Sequence, residues 1–105
     1  MCNKVTLSKK GAAHISYCAQ CKHIYIWHRN LMLTFSDAQF RSFKKYTESP
    51  DFNESFYRFP DGESRLILHT PNADICFAFT EDEWTDFYAA MEEAEYMCGV
   101  YRLIY

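Results

Sequence analysis

A chain of 105 residues fits one domain with one core and leaves little room for a large internal cavity. Hydrophobic residues make up 49% of it and aromatics 18%, which excludes disorder and supplies surplus ring area for a self-association face. The formal net charge is -3, and the only adjacent basic pairs are Lys9 with Lys10 and Lys44 with Lys45, so no basic stripe follows a phosphate backbone and nucleic-acid binding is not expected.

The N-terminal stretch from Met1 to Gly11 is polar and lacks an apolar run. It predicts a flexible segment and not a secretory signal. No stretch approaches the ~20 apolar residues of a membrane span. The expected compartment is the cytoplasm, where five cysteines should be thiols or metal ligands and not a disulfide framework.

Strands are predicted from His14 to Cys18, Lys22 to Trp27 and Leu31 to Phe35, then a helix from Asp37 to Tyr46 that stops before Ser49 and Pro50. Ser36 is its expected N-cap, with Gln39 three residues on to complete a capping box. The pattern then recurs at an offset of 44. Ser55 to Phe59, Arg65 to His69 and Ile75 to Phe79 read as strands, with a hairpin turn at Pro60-Asp61-Gly62-Glu63. Thr80 and Glu83 form the second capping box, and a longer helix runs from Glu81 to Cys98. Its expected apolar face is Trp84, Phe87, Tyr88, Met91, Ala94 and Cys98. Phe35 and Phe79 are placed to staple onto Phe40 and Trp84.

The fold class expected is therefore α+β: two βββα halves, a pseudo-repeat, with antiparallel sheets and two helices on a shared core. The boundaries are a flexible 1–11, a first half 12–47, a second half 54–98 and a tail 99–105, which could pack as helix or strand. Each half alone is marginal, which is why the core should be common to both.

The runs His14-Ile15-Ser16-Tyr17-Cys18-Ala19-Gln20-Cys21, Asn30-Leu31-Met32-Leu33-Thr34-Phe35-Ser36, Phe59-Pro60-Asp61-Gly62-Glu63 and Pro71-Asn72-Ala73-Asp74-Ile75-Cys76-Phe77-Ala78-Phe79 resemble a small bacterial domain family of unknown function. The resemblance covers most of the chain beyond residue 12. It implies a single bacterial cytosolic domain and brings no activity, cofactor or catalytic residue.

The cluster most suggestive of chemistry is His14, Cys18, Cys21, His23 and His28. A Cys-x-x-Cys between two strands is how a zinc knuckle begins. If Ala19-Gln20 is a two-residue loop, Cys18 faces Cys21, Ser16 faces His23 and His14 faces Tyr25 on one side of the sheet. At ~3.4 Å per residue His23 lies ~7 Å from Cys21, and His14 lies ~14 Å from Cys18 and makes a poor fourth ligand; Cys2 is the alternative fourth. Ala-Gln is weak chemistry for a tight hairpin turn, so a metal could hold it. Redox chemistry is disfavoured, because a reactive Cys-x-x-Cys sits at a helix N-terminus and these flanks are extended.

Cys76 and Cys98 fall in apolar runs and are expected in the core, and His69 is expected to be packed on its strand. With three glycines in the chain there is no phosphate cradle, and no nucleophilic triad is visible, so no enzyme is expected. Tyr17, Tyr25, Trp27, Tyr57 and Phe59 could line an aromatic cleft between the halves, or fill the core. The function expected is a non-enzymatic binding or interaction domain, with a homodimer or a protein or peptide as partner. The alternative is a small metalloprotein with a structural zinc at Cys18-x-x-Cys21.

Overall fold

The structure, a computed structural model, describes residues 4–48 and 56–104. Cys2, the Ser49-Pro50 break and the expected strand start at Ser55 lie outside the described residues. Among the described residues the order is β1 (Lys4–Lys10), β2 (Ala13–Cys18), β3 (His23–His28), β4 (Leu31–Ser36), α1 (Asp37–Thr47), β5 (Phe56–Arg58), β6 (Ser64–His69), β7 (Cys76–Phe79) and α2 (Glu81–Ile104). One antiparallel sheet has the order β1-β2-β3-β4 and a second has the order β5-β6-β7. The α+β class with two antiparallel sheets and two helices on one core is as expected.

Both strand-to-helix switches occur where the capping boxes predict. The Ser36 N–H donates to Gln39 Oε1 at 2.8 Å, and the Gln39 N–H donates to Ser36 Oγ at 3.2 Å. The Thr80 N–H donates to Glu83 Oε1 at 3.0 Å, and the Glu83 N–H donates to Thr80 Oγ1 at 3.3 Å. Each reciprocal pair satisfies a helix donor that has no carbonyl one turn back. The second staple meets Trp84 as expected, and both Phe35 and Phe79 also pack one turn further in. Phe35 stacks on Phe43 at 5.1 Å, and Phe79 lies 4.7 Å from Phe87 and 6.0 Å from Trp84.

One face of α2 buries Trp84, Phe87, Ala90, Met91, Ala94 and Cys98. It meets Leu7, Ala13 and Ile15 of the first sheet and Leu66, Leu68, Phe77 and Phe79 of the second in one cluster. The shorter α1 lies across β3 and β4 and touches α2. Four described strands precede α1 and three precede α2, and the two helices differ in length and docking.

Two expectations are corrected, and one left open is decided. The described part of the stretch expected to be flexible is ordered, because Lys4–Lys10 pairs with β2 as an edge strand. Its exposed lysines hide the strand in the sequence, and charge on an edge is how sheets discourage further pairing. A bulge sets Thr6 opposite Ser16 and Ser8 opposite Ile15, so Leu7 and Ser8 are both buried. The Ser8 hydroxyl then donates to the Ala90 carbonyl at 2.7 Å and ties the edge to α2.

The second correction is register. Cys18 faces His23, Ser16 faces Tyr25 and His14 faces Trp27. The loop is four residues long, closed by the Lys22 N–H donating to the Cys18 carbonyl at 2.8 Å, with Lys22 at φ 61°. A longer loop with a left-handed residue does not need Asn-Gly, which removes the difficulty with Ala-Gln.

The tail, open between helix and strand, continues as helix to Ile104. Gly99 costs about 1 kcal/mol relative to alanine in a helix interior. Cys98 is buried and Val100 and Tyr101 are half-buried beside it, and this packing carries the helix past the glycine. At ~1.5 Å per residue the helix is ~36 Å long, so its last turn projects and leaves Leu103 and Ile104 exposed. Among the described residues no helix is long and apolar enough to cross a membrane.

Candidate functional site

A groove of about 550 Å³ lies between α1 and the β6–β7 loop. Ala38, Gln39, Ser42, Phe43 and Tyr46 line it from the helix, and His69, Thr70 and Pro71 from the loop. The helical members recur at spacings of three and four, so they form one stripe. The opposite wall is built by a stapled turn. The Thr70 hydroxyl lies 2.8 Å from the Ile75 carbonyl and 3.0 Å from the Asn72 carbonyl, which share its one proton, and it accepts from the Asn72 N–H at 3.2 Å. The Asp74 N–H donates to Asn72 Oδ1 at 3.0 Å. The wall is therefore held by side chains as well as backbone. The groove is largely apolar, with an imidazole at its rim, which suits the carbon part of a ligand more than a charged one.

His69 leads from the groove to a second feature. It is the last β6 residue before the loop and faces Cys76, the first residue of β7. Across that rung Cys76 Sγ lies 3.2 Å from His69 Nδ1, and both residues are exposed. Cys76 is thus not in the core, contrary to expectation. The alternation of β7 turns Phe77 and Phe79 inward and Cys76 and Ala78 outward. His69 is not merely packed either.

Two charged clusters brace the scaffold around this site. Arg29, in the two-residue β3–β4 turn at φ 57°, donates through Nη2 and Nε to Glu83 Oε2 at 2.8 and 3.0 Å. Burial would raise the Glu83 carboxyl, but hydrogen bonds from Thr80 and Arg29 outweigh it and hold it below its usual range. Beside this pair His28 is buried, edge-on to Phe79 at 4.8 Å, Phe77 at 6.0 Å and Phe87 at 6.2 Å. Its burial lowers the imidazole pKa; Glu83 opposes that and Arg29 adds to it.

The second cluster joins the helices. Lys44 is 1% exposed and sends its ammonium among Glu48, Glu92 at 3.2 Å and Glu95 at 3.9 Å, over the Tyr88 ring at 5.1 Å. Burial pulls the Lys44 pKa down, but hydrogen bonds to Glu48 and Glu92 more than offset it and the net shift is upward. A second hollow, more polar, lies next to the groove along α1, with Lys45, Glu48 and Glu95 in its wall.

The structure does not gather the residues expected to bind metal. His14 Nε2 lies 3.1 Å from Thr6 Oγ1, and its ring meets Trp27 edge-on at 5.9 Å. His23 is exposed and edge-on to Tyr25 at 6.3 Å. Cys18 is buried, and its sulfur accepts the Cys21 N–H at 3.4 Å. Cys21 is disulfide-bonded, contrary to the expectation of thiols, and the other described cysteines, Cys18, Cys76 and Cys98, are free. Among the described residues no three His, Cys, Asp or Glu side chains form a group that could hold a metal ion.

The aromatic set that could line a cleft or fill the core is dispersed. Tyr17 is buried, Tyr25 carries the Lys4 ammonium 4.1 Å above its ring, and Trp27 lies on the outer face of the first sheet. Tyr57 is exposed on the second sheet, and Phe59 lies under the Arg65 guanidinium at 5.3 Å. A groove between the halves exists, but Phe43, Tyr46 and His69 line it instead. The sequence signal for it was the α1 stripe Gln39, Ser42, Phe43 and Tyr46, which continues beyond what the core needs.

No curated protein and no solved structure matches the chain. The profile of one family does match, over residues 1–98, and so takes in both sheets, α1 and most of α2. This chain belongs to the family of unknown function DUF6686.

Proposed function

We propose that this chain is a non-enzymatic binding domain whose site is the groove between α1 and the β6–β7 loop. It takes the apolar part of a small molecule or of a peptide. The observation that supports this is an apolar concavity of about 550 Å³ walled by one element from each half of the chain. That is the usual size and character of a small-molecule pocket. A fluorescent anilinonaphthalene sulfonate dye, displaced by octanoate, tests it. Saturable displacement is expected from the native chain and is expected to vanish in Ser42→Trp, which fills the groove from an exposed helix position. Displacement that is absent, or equal in the variant, overturns the reading.

Self-association is a second reading. Trp27 and Met32 are cross-strand partners on β3 and the edge strand β4, 46% and 47% exposed. Apolar side chains beside an unpaired strand edge favour a second copy. Light scattering after size exclusion should show a dimer that Trp27→Lys dissociates; a monomer at high concentration refutes it. Zinc at Cys18 and Cys21 stays the alternative proposal, checked by metal analysis of reduced, purified protein. The proposed setting for both readings is the bacterial cytoplasm.

A further inference from the structure

We propose that Cys76 is a nucleophilic thiol, served by His69 as proton acceptor, that takes an acyl group from a thioester while the acyl chain lies in the neighbouring groove. This rests on the groove reading above and gives it a ligand class. Three observations meet here. The thiol is exposed and its sulfur lies 3.2 Å from His69 Nδ1, within reach for proton transfer. The two residues are Cα partners on the last rung before a loop stapled by Thr70, so the approach is built into the backbone. His69 also lines the groove, so the imidazole that contacts the Cys76 sulfur is part of the groove wall.

The roles follow from the atoms. With its proton on Nε2, His69 presents the Nδ1 lone pair to the Cys76 S–H. The sulfur attacks the thioester carbonyl carbon as Nδ1 takes the thiol proton. A new C–S bond forms to Cys76, the original C–S bond breaks, and the departing thiolate recovers the proton from His69. No oxidant or other co-reactant is needed. The product is an S-acylated chain, formed once per molecule, so the step is a modification and requires no turnover. Cys18 and Cys98 are buried and have no comparable access. Burial also pushes the Cys98 thiol pKa up.

The test uses octanoyl- and acetyl-N-acetylcysteamine as thioester probes, with intact-mass spectrometry for the rate and peptide mapping for the position. Octanoylation is expected at Cys76 and is expected to be abolished in Cys76→Ser. His69→Asn should slow it by about 10²-fold, the lower range for losing a positioned base. Both residues are exposed, so the variants should keep the native circular dichroism spectrum. Ser42→Trp, which fills the groove, should erase the advantage of octanoyl over acetyl. A wild-type rate equal to that of a cysteine peptide, or one that His69→Asn does not alter, overturns the thiol–imidazole pair whatever the groove binds. Equal octanoyl and acetyl rates in the native chain, with the His69 dependence intact, overturn the acyl-chain assignment alone.

Discussion

Replacing Lys44 and replacing its carboxylate partners should cost the fold very different amounts. The ammonium is 1% exposed, whereas Glu48, Glu92 and Glu95 are 43%, 52% and 47% exposed. Lys44→Met keeps the alkyl stem against Tyr88 and deletes the charge. The three carboxylates that remain can turn into water, so the loss is that of partly solvated ion pairs, about 1–2 kcal/mol. The triple change Glu48→Gln, Glu92→Gln and Glu95→Gln strands a buried ammonium with no anion, which costs about 3–5 kcal/mol. For a domain of this size each kcal/mol moves Tm by roughly 4–8 °C.

Urea unfolding followed by circular dichroism at pH 7 measures both variants. Equal losses, or a larger loss for Lys44→Met, would refute the claim that burial of the cation sets the energetics. The pH profile adds a check. The Lys44 pKa is raised above its usual 10.5, so its contribution is complete below that value and disappears as pH climbs through the folded pKa. Hydrogen bonds, first from Tyr88 and then from Lys44, lower the Glu92 pKa from the usual 4.5. The Glu92 contribution is present above that value and disappears as pH falls through the folded pKa. Tyr88, hydrogen-bonded to Glu92, is likewise raised from its usual 10.0, so from this cluster alone stability should be flat between about 4.5 and 10.0.

His28 should add a separate acid limb inside that flat range. Its folded pKa lies below the usual 6.5, so the unfolded chain binds the proton first, and stability should fall as pH drops below about 6.5. In His28→Leu the slope between pH 7 and pH 5 should vanish; an unchanged slope would assign it to another group. Gly11 sits at φ +55°, and a Cβ there would stand 2.3 Å from Asp86 Oδ2. Gly11→Ala should therefore cost about 1–2 kcal/mol, mostly from the left-handed backbone, since the Asp86 carboxylate can swing away. Adding Asp86→Ala should recover only a minor part, and full recovery in urea melts would show that the clash, not the backbone, is the cost.

Local chemistry was legible wherever the chain writes it in consecutive residues. Ser36 with Gln39 and Thr80 with Glu83 form caps from their own side chains, and Asp61-Gly62 makes its own turn, with Gly62 at φ 89°. These features depend on neighbours three or four positions away, so sequence order alone specifies them. The strand β1 was not legible, because its few apolar residues mean little until β2 and α2 cover them. The loop after Cys18 was misread for a related reason: Lys22 takes a left-handed turn that its residue type does not announce.

The candidate site sits at the far end of that scale. Periodicity pointed Phe43 and Tyr46 to one stripe of α1, but only the docking of α1 beside the β6–β7 loop makes the stripe one wall of a groove. An apolar run of five residues suggested that Cys76 was interior. The pleat of an edge strand with one covered face put it outside, against His69, seven residues away in sequence and one rung away in space. The sequence by itself determined where the chain turns from extended to helical and which faces are apolar, since those choices rest on short-range hydrogen bonds and side-chain period. Which apolar face is covered, and which thiol is left in reach of an imidazole, was decided by tertiary packing alone, because burial depends on partners from both halves of the chain.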